Sequence, residues 1–566
     1  MQNLPFEFSH GGYIKEEAVQ AVQQRSALRL SRTEAIDVET DFDYLFPDIA
    51  RDPNSLLPAD NNQDVIKKLK DLGEAIIDRE GPEPDDSNSI IPPVYTYWGQ
   101  FIDHDITANT DRTVTDLQTD IIKDDFTPLS PDFVTDKLKN LRRPTFDLDS
   151  VYGDGPTLDP ENPTEAKDFY QEDDPVKLKV GQNAEQDANG EPTPGAKIPP
   201  EEDLSRDLPR NNRIAVIGDS RNDENLIVAQ FHTAFLRFHN AVVDWVRKNE
   251  PEHAQDNKKL FVRAQTLVRW HYQWLVVNDF LKTVTASGTV DSILSDGLKF
   301  YQPRHGNLFM PLEFSVAAYR FGHSMVRAAY DYNRNFTDPN QPGALTDATF
   351  NLLFAFTGRR DIGGPPGPGP SNTLPFNWII EWDRFVDKES AARRQRNSAR
   401  KIDTHLAFPL SKLINEGNKD PEDQDPIQKL LKHLAKRNLL RGYFLSIPTG
   451  QSLADKLGIT RLTVEELKQD NSPELNQALE PFLEKTPAWY YVLKESEVRA
   501  KGDSLGEVGS RIVAETIIGL IKNDPSSYLN EGDHGWNPSK GVKLPNGGEI
   551  RVISDFLKFA EVLPVS

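Results

Sequence analysis

The sequence predicts a mainly α-helical protein, on three observations. From 223 to 283 the apolar residues recur at helical spacing, in LIVAQFHTAFLRFHNAVVDWVRK and then KLFVRAQTLVRWHYQWLVVNDFLK. Stretches at 63–80, 311–330, 376–386, 426–440, 464–469, 472–482 and 510–522 repeat that pattern. Strand signals are few and short, and no internal repeat is visible.

Taken in order, residues 1–60 are polar and aperiodic, with turn-rich PFEFSHGGY and FPDIARDPNSLLPADNN, and are expected to lie as an arm over a larger body. The helix expected at 63–80 ends in PEPDDSNSIIPP, which breaks the chain before WGQFIDHDITANT at 98–110. Residues 153–212 form an acidic, Pro/Gly-rich excursion with one hairpin expected around KLKVGQNAEQDANGEPT. IGGPPGPGPSN at 362–372 reads as a flexible or polyproline-like loop. No clean boundary divides 61–566. The informative motifs spread from 98 to 442, so if they form one site they require one large domain.

The chain has 566 residues, 37% of them apolar, enough for a sizeable core. Lys and Arg number 65 against 88 Asp and Glu, a net charge of −23, which repels nucleic acid and anionic lipid surfaces. The absence of cysteine excludes disulfides, thiolate metal sites and a thiol nucleophile. The N-terminal residues lack a basic stretch followed by an apolar one, and no apolar run approaches the length of a membrane span. The expectation is a soluble protein, cytoplasmic or secreted without an obvious signal peptide.

Four stretches carry candidate chemistry. In 98–110, Gln100 and His104 sit four apart on one helix face, flanked by Asp103 and Asp105, where Trp98, Phe101 and Ile102 favour burial. In Gly218-Asp-Ser-Arg-Asn-Asp-Glu-Asn225, a turn and helix cap hold Arg221, a cation disfavoured at a helix N-terminus unless it faces an anion. In Tyr319-Arg-Phe-Gly-His-Ser-Met325, Gly322 costs about 1 kcal/mol inside a helix but lets a bulky group approach beside His323. In Arg437-Asn-Leu-Leu-Arg-Gly442, Asn438 has apolar neighbours, and a buried Asn needs partners, a histidine N–H among them. Taken singly, each stretch also reads as a cap, a core histidine or a packing glycine.

Together and in this order they resemble the animal-type haem peroxidases of the peroxidase–cyclooxygenase superfamily, from about residue 90 to about 460. The missing disulfides point to a microbial branch. The resemblance implies a large, mainly helical haem domain. It makes His104 the distal histidine, Gln100 its water or halide partner, Arg221 the distal arginine, His323 the haem-iron ligand and Asn438 the acceptor of that histidine's other N–H. Arg320 and Arg441 fall where the family contacts haem propionates. Asp103 and Glu224 fall where it forms ester bonds to haem. Asn225 replaces the methionine of myeloperoxidase's sulfonium link, which excludes that third link.

These residue types fit the implied chemistry. Neutral His104 can move a proton from one peroxide oxygen to the other, and Arg221, always charged, can stabilise the leaving oxygen. The family's calcium loop matches 143–153, with Arg143, Thr145, Asp147 and Asp149 at the ligand positions and Asp105 joining them; a plain polar turn is the alternative. Arg143 replaces a threonine and Asp149 a serine. His232 and His239, seven apart, are expected to be structural, and the acidic run at 422–425 a solvated face.

The expected function is oxidation of small donors, halide or thiocyanate among them, by hydrogen peroxide. The alternatives are a fatty-acid dioxygenase of the cyclooxygenase-like branch and a non-catalytic, calcium-stabilised interaction protein. Arg320 stands three residues before His323, where the dioxygenase branch carries its radical-forming tyrosine. Tyr319 is one position off, about 100° round an α-helix, and is expected to point elsewhere.

Overall fold

The computed structural model describes residues 40–108, 121, 123–140, 142–159, 161, 163–184, 203–211, 214–304, 306–340, 343–358, 373–386, 397–414 and 425–564. The start of the N-terminal arm, the hairpin tip beyond 184 and the loop 362–372 lie outside the described residues. The fold is 51% helical with a few short strands, and one continuous apolar core runs from Phe42 to Leu563.

Part of the stretch expected to be an aperiodic arm is a strand. Thr40–Asp43 runs parallel to Phe309–Pro311 and antiparallel to Lys139–Asn140. Phe42, Tyr44, Leu45 and Phe46 all enter the core, an apolar run hidden among turn residues. Buried Glu313 accepts the main-chain N–H groups of Leu45 (2.7 Å) and Phe46 (3.1 Å).

The helix Val94–Ile106 follows the Pro92–Pro93 pair and is buried on every face; within it only Gly99 is partly exposed. It packs on Leu226–Asn249, with Phe101 stacked on Phe235 at 4.6 Å. Asn225 caps that second helix by accepting Val228 N–H at 3.0 Å. Asn257–Leu275 completes the layer and continues through a π-helical turn, Val276–Phe280.

The expected helix over 311–330 takes another form. Glu313–Ala317 is π-helical and Ala318–His323 is 3₁₀. Arg320 Nε takes Ser315 O at 2.6 Å, the carbonyl that an α-helix would offer to the N–H of residue 319. The segment expected at 426–440 is two helices, Pro426–Lys432 and Leu434–Phe444, divided at His433, whose ring caps the second through Lys436 N–H at 3.4 Å. The segment at 376–386 reduces to Phe376–Trp378 and Asp383–Val386.

Candidate active site

One cavity brings residues of all four motif stretches to one place. Gln100, Asp103, Glu224 and Asn225 line it together with Arg320, Gly322, His323 and Arg437. A Cβ added at Gly322 would meet nothing within 4 Å, so the glycine leaves open room beside His323. His104 is fully buried and meets the cavity lining through Glu224.

His104 is oriented by two other buried residues. Its Nδ1 lies 2.8 Å from Asn222 Oδ1, and Asn222 Nδ2 lies 3.0 Å from His232 Nδ1. An amide oxygen accepts and an amide nitrogen donates, so the His104 proton sits on Nδ1 and the Nε2 lone pair is left for chemistry. That Nε2 is 3.8 Å from Glu224 Oε1, the carboxylate oxygen that also accepts the Gln100 amide. Burial and the Arg221 charge lower the His104 pKa to about 4, so the ring is neutral at pH 7. His232, expected to be merely structural, is the far end of this chain. His239 is structural: its nitrogens meet Tyr152 Oη at 3.0 Å and Val176 O at 2.8 Å.

The anion that the position of Arg221 called for is Asp219. Arg221 donates to it from Nε (3.1 Å) and Nη2 (2.7 Å), and reaches His104 O at 2.8 Å. Asp219 is shared with Arg142, whose Nη1 also donates to Asp149 at 2.8 Å. Burial opposes ionisation of Asp219, but the two guanidinium groups outweigh it and hold the carboxyl far below its usual range.

Asp103 accepts Arg320 Nη1 at 3.2 Å and Thr107 Oγ1 at 2.8 Å. Asn438 lies 2.7 Å from His323 Nδ1, as expected of a buried amide, but presents its nitrogen. A half-turn of the amide offers the oxygen instead, which holds the proton on Nδ1 and frees Nε2. Arg441 is half-buried and outside the lining, which takes Arg437 from one turn earlier.

Asp105, Asp147 and Asp149 place carboxylate oxygens within 4.8 Å of one another. Phe146 and Leu148 have positive φ (53° and 58°) and are fully buried, which turns the alternate residues to one side. Among the described residues, the Asp105 carboxylate, buried beside Asp147 and Asp149, faces only the Tyr272 hydroxyl, and Thr145 Oγ1 has no hydrogen-bond partner. Oxygens of this kind suit a hard cation. Arg143 is exposed, and its guanidinium has no oxygen to offer, so only its main-chain carbonyl could join them.

Sequence reasoning missed Asn222, Arg142, Asp219 and Arg437. Asn222 and Asp219 stood inside the quoted GDSRNDEN, but nothing local shows that their partners are His104, His232 and Arg142.

A family model described as animal haem peroxidase matches residues 63–357, more than half of the chain. A peroxidasin homolog of Caenorhabditis elegans is 25% identical over 205 residues, 36% of this chain and 14% of that protein. A peroxidase-like protein of Margaritifera margaritifera is 32% identical over 127 residues, 22% of this chain and 16% of that one. The matched stretches thus span a small part of these relatives' length. In fold, the chain is similar to a fatty acid alpha-dioxygenase of Arabidopsis thaliana, with a TM-score of 0.51 and 13% identity over 96% of this chain and 84% of that structure. Among the described residues no helix is long and apolar enough to cross a membrane.

Proposed function

The chain belongs to the animal haem peroxidase family, and from that premise we propose that it is a haem peroxidase that uses hydrogen peroxide to oxidise small donors, halide and thiocyanate among the candidates. The observation that carries this reading is the single cavity in which Gln100, Asp103 and Glu224 meet Arg320, Gly322 and His323. The cofactor fits these residues: an imidazole, an open space where a Cβ would stand, and arginines to meet carboxylates.

Bound haem supplies an iron at which peroxide is activated. His323 holds it, and Asn438 sets the basicity of that ring. His104 Nε2 takes a proton from one peroxide oxygen and delivers it to the other, which its neutral state and fixed tautomer allow. The Arg221 guanidinium, positioned by Asp219, stabilises the departing oxygen. Gln100 orders water or halide next to His104. Arg320, with Arg437 or Arg441, meets the cofactor's carboxylates. Asp103 and Glu224 are the candidates for ester links, and both line the cavity. A calcium ion on Asp105, Thr145, Asp147 and Asp149 would fix the residue beside His104.

The test is an absorbance spectrum of haem-reconstituted protein before and after peroxide, with phenolic, halide and thiocyanate donors. A Soret band that shifts with peroxide and returns with donor is expected; a protein that takes up no haem overturns the reading. Acid extraction after peroxide treatment checks the esters, because unmodified haem would then be fully released.

One observation favours a second reading. Tyr319 was expected to point elsewhere, but the 3₁₀ turn changes the rotation per residue, and the side chain lines the cavity with its hydroxyl donating to Gly99 O at 3.1 Å. The apolar lining of Phe350, Leu353, Phe354, Leu410 and Leu413 would accept an aliphatic chain. Rapid oxygen uptake with unsaturated fatty acids, abolished in Tyr319→Phe, would make the protein a dioxygenase; donor turnover without oxygen uptake keeps it a peroxidase.

A further inference from the structure

Tyr95, Tyr97 and Tyr319 all line the cavity, and they differ in what their hydroxyls meet. Tyr319 donates to a neutral main-chain carbonyl. The buried Tyr97 hydroxyl faces the Tyr330 hydroxyl, which is neutral and no base. Tyr95 donates at 2.7 Å to Oδ1 of Asp279, a carboxylate only 5% exposed. The other oxygen of Asp279 accepts Ile553 N–H at 2.7 Å, so the base is held from two sides.

Asp279 reaches this place through an irregularity. It stands in the π-helical turn Val276–Phe280, between Asn257–Leu275 and Leu281–Val284. A π-turn widens the helix and re-aims its side chains, and such turns concentrate at functional sites. The next residue, Phe280, packs its ring 6.5 Å from that of Tyr95, and Trp98 stands 5.8 Å away on the other residue's own helix. Burial and the Asp279 charge keep the Tyr95 phenol protonated.

We propose that Tyr95 is a redox-active tyrosine whose proton acceptor is Asp279. The proposal rests on the haem reading above, because peroxide-oxidised haem is the oxidant. The Tyr95 O–H bond breaks, its proton forms an O–H bond on Asp279 Oδ1, and one electron leaves for the cofactor, which is reduced by one equivalent. The products are a neutral phenoxyl radical and a neutral carboxylic acid. A one-electron donor such as a phenol then returns the electron, releasing its own proton to water as it becomes a phenoxyl radical, and Asp279 returns the proton to Tyr95. Oxidation without a base would strand a cation in a buried site, which is costly. Tyr97 and Tyr319 face that cost, and Tyr95 does not.

Freeze-quench EPR of haem-reconstituted protein after peroxide tests this, with the Soret change followed in the same samples. A tyrosyl signal, narrowed by ring-deuterated tyrosine, is expected in the wild type and in Tyr97→Phe. It should be lost in Tyr95→Phe and form more slowly in Asp279→Asn, while every variant keeps its Soret response. An undiminished signal in Tyr95→Phe overturns the proposal, as does wild-type formation in Asp279→Asn. Absence of any Soret response instead counts against the haem reading. The pair is then tested in the apoprotein by photo-oxidation with a ruthenium complex: slower oxidation of Tyr95 in Asp279→Asn, with a solvent deuterium effect, supports it, and equal rates overturn it.

Discussion

Gln100, Asp103 and His104 stand on one regular helix, whereas Arg320, Gly322 and His323 stand on a π-helical turn that runs into a 3₁₀ turn. The first group is held by a buried polar web drawn from three other segments: Asn222 and His232 on one flank, Asp219, Arg142 and Asp149 on the other. On the other side, the Asn438 amide meets His323 Nδ1 at 2.7 Å. The difference fits the tasks proposed above for the two groups. A proton-moving base needs a defined tautomer and a fixed counter-charge, which only several buried partners supply. An iron ligand is oriented by the bond it makes, and one partner suffices to tune it.

The largest expected effect breaks the His323 side. His323→Ala should lose tightly bound haem and the native Soret position, measured by haem content after gel filtration. A variant with unchanged content, spectrum and turnover would falsify the assignment of His323.

On the webbed side the effect should be on rate, with haem retained. His104→Ala should slow peroxide cleavage by ~10²–10⁴, and Arg221→Leu by ~10²–10³, read by stopped-flow absorbance. The pH dependence has a defined sign. His104 is neutral above its depressed pKa of about 4, so the rate should hold down to mildly acid pH and fall only as that value is approached. Stability follows the same group: as pH falls below the ordinary histidine value, the unfolded chain takes up the proton first. Stability is therefore lost on the way down to about pH 4, and this residue contributes no further loss below it.

A smaller effect sharpens the comparison. Asn222→Leu removes the group that fixes the His104 tautomer, and outer partners of this kind are typically worth about 10–100-fold. The acid limb of the rate profile should shift as well, which a merely structural role would not produce. Equal effects of Asn222→Leu and Asn438→Leu on peroxide cleavage would erase the asymmetry between the two sides.

The smallest effect concerns the loop at 145–149. Elemental analysis of desalted protein should find about one calcium per chain, and chelation should lower the melting temperature, because an ion bound only to the native state stabilises it by mass action. No retained calcium and no change on chelation would leave the three carboxylates as a polar turn.

Much of the site was legible because its residues come in local spellings. Asp105, Asp147 and Asp149 converge, Asn438 reaches His323, and Gly322 opens the cavity as its place beside a histidine implied. What stayed hidden depends on long-range partners or on broken periodicity. Asn222 is one of several polar residues in a turn until His104 and His232 are folded against it. The helix Ala488–Ala500 gave no signal, because its first nine residues are all buried, Lys494 and Glu495 included, and so show no polar face. The π and 3₁₀ turns before His323 go together with the Arg320 bond to Ser315 O, a contact that no propensity encodes.

The parallel pairing of Thr40–Asp43 with Phe309–Pro311 bears on the order of assembly. During synthesis, the residues around 40 emerge long before their partner near 310 exists. The early strand must wait, with Phe42, Tyr44 and Phe46 uncovered, while the helices that carry Gln100 and His104 are made. It can close only when Glu313 arrives to receive Leu45 and Phe46. Pairing across so long a loop is entropically slow, and is repaid only once the intervening chain has compacted. This late clasp lies within about ten residues of His323, so the segment that carries His323 is fixed at the same stage at which the aggregation-prone edge is covered.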